Sequence, residues 1–228
     1  MSGDVFYYGM HVLGIIAIII YIAIISPKFN ESRFLSIVCG MLSYATIYAL
    51  MLFLFYLVTG VFGGQNVIRT FIFLPLIIIA YSKLLRLNTR HLLDMLAPCI
   101  PMAQVLGKIG CQYVGCCQSW LRVDWGIINP ITNERLFPIQ LIEGIVALLV
   151  VIIVIVYMRK KNYQANGLAM PLSMLLFGGS RFFLEFLRDN EKVIGNISEL
   201  ALWCVAMVIV SIIWIAIYKS KEKKESLS

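Results

Sequence analysis

Seven apolar stretches, each near the roughly 20 residues a helix needs to cross a bilayer, divide this chain at about 6 to 26, 34 to 60, 67 to 82, 91 to 117, 137 to 158, 167 to 187 and 196 to 218. A fold with that many can satisfy them only in lipid. The charge content agrees, because 14% of the 228 residues are charged where soluble domains carry about a quarter. An all-α, polytopic membrane bundle of seven spans is expected. The first stretch lacks a basic n-region and a small-residue cleavage site, so it reads as a retained span rather than a signal peptide.

The fourth stretch, HLLDMLAPCIPMAQVLGKIGCQYVGCC, holds two prolines and three glycines. Such a break survives at membrane depth only where protein or a water-filled cavity satisfies the freed backbone groups. Loop charges give the orientation. Alternate loops place Lys28, Arg33, Lys83, Arg86, Arg90, Arg159, Lys160, Lys161, Lys219, Lys221, Lys223 and Lys224 on one side, twelve in all, against Arg122, Arg135, Arg188 and Lys192 on the other. By the positive-inside rule the N-terminus is outside and the C-terminus cytoplasmic. The formal charge of +7 therefore reports topology, not nucleic-acid binding. One membrane domain, 1–218, with a basic cytoplasmic tail, 219–228, is expected. Trp120 and Trp125 in the long outer loop suit the headgroup level.

Arg69, Lys108 and Arg181 are left inside or beside the spans, with Glu143 and Glu185 in the outer half. A charge at a helix centre costs about 2.5 to 3.5 kcal/mol on insertion scales, so five facing lipid would cost on the order of 10 kcal/mol. They should face inward. The spacing in GGSRFFLEFLRDN sets Arg181, Glu185 and Arg188 on one helix face, and Gln140 shares a face with Glu143. One reading is an Arg181–Glu185 pair that snorkels outward. The other is a site for an anion, since Lys108 is a cation from a different span. A membrane-embedded anion site open to one leaflet suggests a phospholipid headgroup. Gly107, Gly110 and Gly115 would let the backbone approach a phosphate closely, or pack helices in the small-residue manner.

Cys39, Cys99 and Cys204 lie in apolar runs and behave as small hydrophobes. Cys111, Cys116 and Cys117 form a cluster. With no histidine nearby, adjacent cysteines are a poor complete zinc site; thiol redox chemistry near an oxidising face is open, and small structural residues are the leading assignment.

FYYGMHVLG, DMLAPCIPMAQVLGKIGCQYVGCC, FPIQLIE and SRFFLEFLRD, in that order on seven spans, resemble the segments of the prolipoprotein diacylglyceryl transferase family. The resemblance implies that Tyr8 lines a lipid site and that Lys108 stands at the signature arginine. Cys111 stands at its asparagine, and Gly115, Gln140, Glu143, Arg181, Glu185 and Arg188 match in step. It departs where the family has His-Gly-Gly, here Ile68, Arg69 and Thr70. Further differences fall at Cys116, Ser119 and Phe137.

What the family implies is thioether formation. The cysteine thiol of a lipoprotein precursor attacks the glycerol carbon of phosphatidylglycerol and displaces glycerol phosphate, at the outer leaflet of a bacterial plasma membrane. Arg181 and Lys108 would hold the phosphate, Glu185 and Glu143 orient the cations, and Tyr8 and Gln140 complete the lining, with Arg188 and Arg69 as further contacts. Loss of the histidine removes a base worth roughly 2 kcal/mol, since a free thiol is already a few per cent ionised at pH 7. His11 is the candidate replacement, beside the simpler reading of a histidine bonded within the bundle. Phosphatidylglycerol and the signal peptide of the precursor are the partners; no metal or dissociable cofactor is implied. Two alternatives remain: a relative that lipidates another acceptor or binds lipid without turnover, and a membrane thiol-disulfide oxidoreductase.

Overall fold

The computed structural model describes residues 2–60, 67–195 and 197–225. Eight helices carry the fold: α1 (Ser2–Ile25), α2 (Arg33–Thr59), α3 (Val67–Leu84), α4 (Thr89–Leu96), α5 (Cys99–Val114), α6 (Ile139–Lys160), α7 (Ala169–Glu185) and α8 (Glu199–Glu225). Two short antiparallel pairs complete it, β1 (Arg122–Ile128) with β2 (Arg135–Leu136), and β3 (Lys192–Ile194) with β4 (Ile197–Ser198). Among the described residues, six segments are long and apolar enough to cross a membrane, α4 and α5 counting as one. The sixth stretch of the sequence is α7, at 17 residues shorter than these. Lys219 and Lys221 of the expected tail continue α8, and residues 226–228 lie outside the described residues.

Local chemistry sets the ends. The Ser32 hydroxyl accepts from the Leu35 amide at 3.5 Å at the start of α2, and the Asn88 side chain accepts from the Arg90 and His91 amides at 3.0 and 3.4 Å at the start of α4. Both are N-caps of the preferred type. The break in the fourth stretch falls at Ala97 and Pro98, between α4 and α5. Pro101 has no N–H, so it cannot bond the carbonyl four residues back, that of Ala97. The hydroxyl of Ser173 on α7 donates to it instead, at 2.7 Å. Protein thus satisfies the freed group, as a break in lipid requires.

The same joint anchors α7. Buried Asp94 on α4 accepts from the amides of Asn166, Gly167 and Ala169 at 3.0, 2.9 and 2.8 Å, donors that would otherwise be unpaired where α7 begins. A distant carboxylate here does the work of an N-cap.

Packing inverts the soluble pattern. Large apolar side chains face outward along α6, at Ile145, Leu149, Ile152 and Val156, and along α8, at Ile209, Ile212 and Ile213. The interior holds Cys39, Phe71, Met95, Met170, Met174, Phe177, Cys204 and Met207. Small residues set the closest contacts: a Cβ on Gly178 would come within 2.8 Å of the Met207 methyl. α8 therefore lies tight against α7.

Candidate functional site

α5 ends, α6 begins and α7 ends at one end of the bundle, the end that carries β1 and β2. At 1.5 Å rise per residue, Lys108, Glu143 and Arg181 all lie within about 10 Å of those helix ends. There they meet. The Glu143 carboxylate takes Lys108 at 2.5 Å through one oxygen and the Arg181 guanidinium through the other. Arg188 Nε lies 3.7 Å from the second oxygen. Glu185 adds a second carboxylate, 3.6 Å from Arg181 and 3.5 Å from Arg188. Glu185 is in turn held by the amide of Asn190 and by the Ser198 hydroxyl at 2.9 Å.

All five charged residues are buried, none more than 7% exposed. The snorkelling pair is therefore replaced by an inward network with Glu143 as its hub. Three cations face two acids, which leaves one positive charge over. Arg181 Nε and Arg188 Nε make no hydrogen bond among the described residues, and neither do Glu143 Oε1 and Oε2 or Glu185 Oε2, which meet the cations as ion pairs instead. Burying an unbalanced ion costs several kcal/mol, and buried donors are nearly always bonded. The arrangement is what an anion-binding cluster needs.

Arg188 lies beyond the end of α7, and the outer loop fixes it. The Ser119 hydroxyl donates to the Leu187 carbonyl at 2.5 Å, the Trp120 indole to the Phe186 carbonyl at 2.9 Å, and the Asp189 amide to the Gln118 carbonyl at 3.0 Å. Gln140 closes the loop from below, its amide donating to the Cys116 carbonyl at 2.8 Å. Gly115 ends α5 in the left-handed region at φ 80°, and a Cβ there would lie 2.7 Å from Asn129 Oδ1. Gly115 is thus required by the turn and by its close neighbour.

A cavity of about 420 Å³ opens beside the cluster, with Tyr7, Tyr8 and His11 toward one end and Ile22, Ile78 and Leu96 toward the other. Lys108 and Arg181 do not line it, so the two cations expected to hold the phosphate stand apart from the cavity. Helical geometry explains the separation. Gly107 and Gly110 face α1, where added Cβ atoms would meet His11 at 3.4 Å and Met10 at 3.3 Å, while Lys108 faces α6 beside Gly144. At about 100° per residue, Gln104 and Cys111 fall between those two faces. The cavity and the cluster therefore border each other across one edge of α5.

Tyr8 lines the cavity but is two-thirds exposed. Tyr7 is the neighbour that sequence reasoning missed. Its spacing of four from His11 was the available signal, and His11 Nδ1 donates to the Tyr7 carbonyl at 2.9 Å. A carbonyl only accepts, so Nδ1 carries the proton and Nε2 is the basic nitrogen. Arg69 does not join the cluster. It pairs with Glu199 on α8 at 2.9 Å, its guanidinium 5.8 Å from the Trp203 ring centre. Its place on α3 puts it against α8 rather than α5.

A family model described as prolipoprotein diacylglyceryl transferase matches residues 5–217. The chain is 29% identical over 127 residues to the phosphatidylglycerol–prolipoprotein diacylglyceryl transferase of Clostridium tetani, covering 53% of this chain and 49% of that protein. It is 29% identical over 146 residues to a second such transferase from Clostridium perfringens, covering 61% and 56%. To that of Helicobacter pylori strain J99 it is 31% identical over 150 residues, covering 58% and 50%. The chain spans about half the length of the curated relatives it matches.

Proposed function

Because the chain belongs to the prolipoprotein diacylglyceryl transferase family, we propose that it moves a diacylglyceryl group from phosphatidylglycerol to the cysteine thiol of a lipoprotein precursor. The work is done at the outer leaflet of a bacterial plasma membrane, by a single membrane domain of seven spans with the N-terminus outside and the basic tail cytoplasmic. One observation carries the reading: three buried cations over two acids, with one positive charge in excess, beside a cavity with apolar walls.

The leaving group sets the demand. As the glycerol carbon passes to sulfur, the C–O bond breaks and negative charge grows on glycerol phosphate. Fixed donors aimed at a developing anion lower the barrier without reorganising. Arg181 supplies a planar fork, Arg188 a second guanidinium, and Lys108 a point charge. Glu143 and Glu185 position all three. The acyl chains occupy the cavity past Ile22 and Ile78, with Tyr7 and Tyr8 at the glycerol backbone. His11 Nε2, on the cavity side of Gly107, is the candidate base for the acceptor thiol.

Membranes containing the full chain, incubated with radiolabelled phosphatidylglycerol and a peptide bearing the acceptor cysteine, are expected to yield a thioether-linked product. A serine peptide should yield none. Absence of product under conditions where a known transferase works overturns the reading.

A further inference from the structure

The thiols of Cys111, Cys116 and Cys117 take no part in the proposed transfer, yet their sulfurs all lie within 4.8 Å of one another. All three are free. The sequence argues against a metal because adjacent cysteines seldom turn to one point. Here the backbone makes them do so. Gly115 at φ 80° and Cys117 at φ 59° are both left-handed, and an L-residue in that region costs roughly 1–2 kcal/mol. The turn curls Cys116 and Cys117 back toward Cys111 on the last turn of α5, where Cys116 Sγ sits 3.8 Å from the Cys111 carbonyl.

Four-coordinate zinc binds thiolate at about 2.3 Å, which sets the sulfurs of a tetrahedral site about 3.8 Å apart. Shifts of less than about 1 Å would bring these three to that spacing. Lys108 and Arg188 lie within electrostatic reach of Cys117, so fixed positive charge stands beside the sulfurs. On its other side the triad is near Tyr7, at the wall of the cavity. Three ligands leave a fourth position, the mark of a catalytic rather than a structural site.

We propose that Cys111, Cys116 and Cys117 hold a thiophilic divalent cation of the zinc type, and that its fourth position takes the thiolate of the acceptor cysteine. The second half rests on the transfer reaction proposed above. The acceptor thiol loses its proton to solvent on coordination. Its sulfur lone pair then forms the bond to the glycerol carbon as the C–O bond to phosphate breaks, and glycerol phosphate leaves with that electron pair. The metal changes neither charge nor oxidation state. Coordination then takes over from His11 the ionisation of the acceptor thiol.

The test uses the full chain in detergent micelles, reduced, stripped with chelator and titrated with cobalt(II). One cobalt per chain is expected, with sulfur-to-cobalt charge-transfer bands and the visible absorption of a four-coordinate ion. Cys116→Ser with Cys117→Ser should weaken binding by at least about a hundredfold, more than the loss of an outer-shell partner does, while Cys39→Ser leaves it unchanged. A peptide with the acceptor cysteine should shift the bands, and its serine analogue should not. Absence of charge-transfer bands, or equal bands in the double variant, overturns the site. Bands indifferent to the cysteine peptide overturn the fourth ligand. Transfer that survives full chelation unaltered removes the metal from the reaction and leaves the transferase intact. A peptide-sensitive cobalt site with no transfer in any preparation sinks the transferase reading and leaves the metal site standing.

Discussion

Arg181→Met is expected to lower the rate of lipid transfer by about 10²–10³, the usual cost of removing one fixed donor from a developing anion. Arg181→Lys should recover part of this, because it keeps the charge and loses the two-pronged geometry. Stability should change little by comparison. Arg181 is 4% exposed, but deleting its charge leaves two cations against two acids, a balanced set. Initial rates with labelled phosphatidylglycerol, alongside thermal unfolding in detergent, separate the two effects. A large loss of stability with transfer per folded molecule unchanged would reduce Arg181 to a fastener.

Glu143→Gln should behave in the opposite sense, losing about 3–5 kcal/mol of stability, the range for breaking a buried ion pair by removing one partner. Glu143 faces Lys108, Arg181 and Arg188 together, so its neutralisation leaves three cations against Glu185 alone. Adding Arg181→Met to Glu143→Gln should restore part of that loss. Residues sharing a charge network couple in this way. Denaturant titration of the single and double variants measures it; additive losses would show that the two side chains are not energetically joined.

Much of this site was legible in the sequence because charge is costly in an apolar helix. Lys108, Glu143, Arg181, Glu185 and Arg188 had to find one another, and they do. The break at Ala97 and Pro98 was visible for a similar reason, since proline cannot complete a helix. The partner that repairs it was not: nothing near Ser173 shows that its hydroxyl meets the Ala97 carbonyl, and nothing near Asp94 shows that it caps α7. Those contacts depend on how distant helices pack. Arg69 was misplaced because order along the chain does not say which helices become neighbours. The convergence of the thiols was hidden for a subtler reason, the left-handed backbone at Cys117, which residue spacing does not encode.

The offset between cavity and cation cluster narrows where a lipid must sit: chains among the apolar walls, glycerol near Tyr7, phosphate across the edge of α5 marked by Gln104 and Cys111. A structure of the full chain in nanodiscs of phosphatidylglycerol tests this most directly. The account predicts phosphate density within hydrogen-bond distance of Arg181 or Arg188, with Lys108 turned toward it. Phosphate held elsewhere, with Glu143 still closed on all three cations, would contradict it.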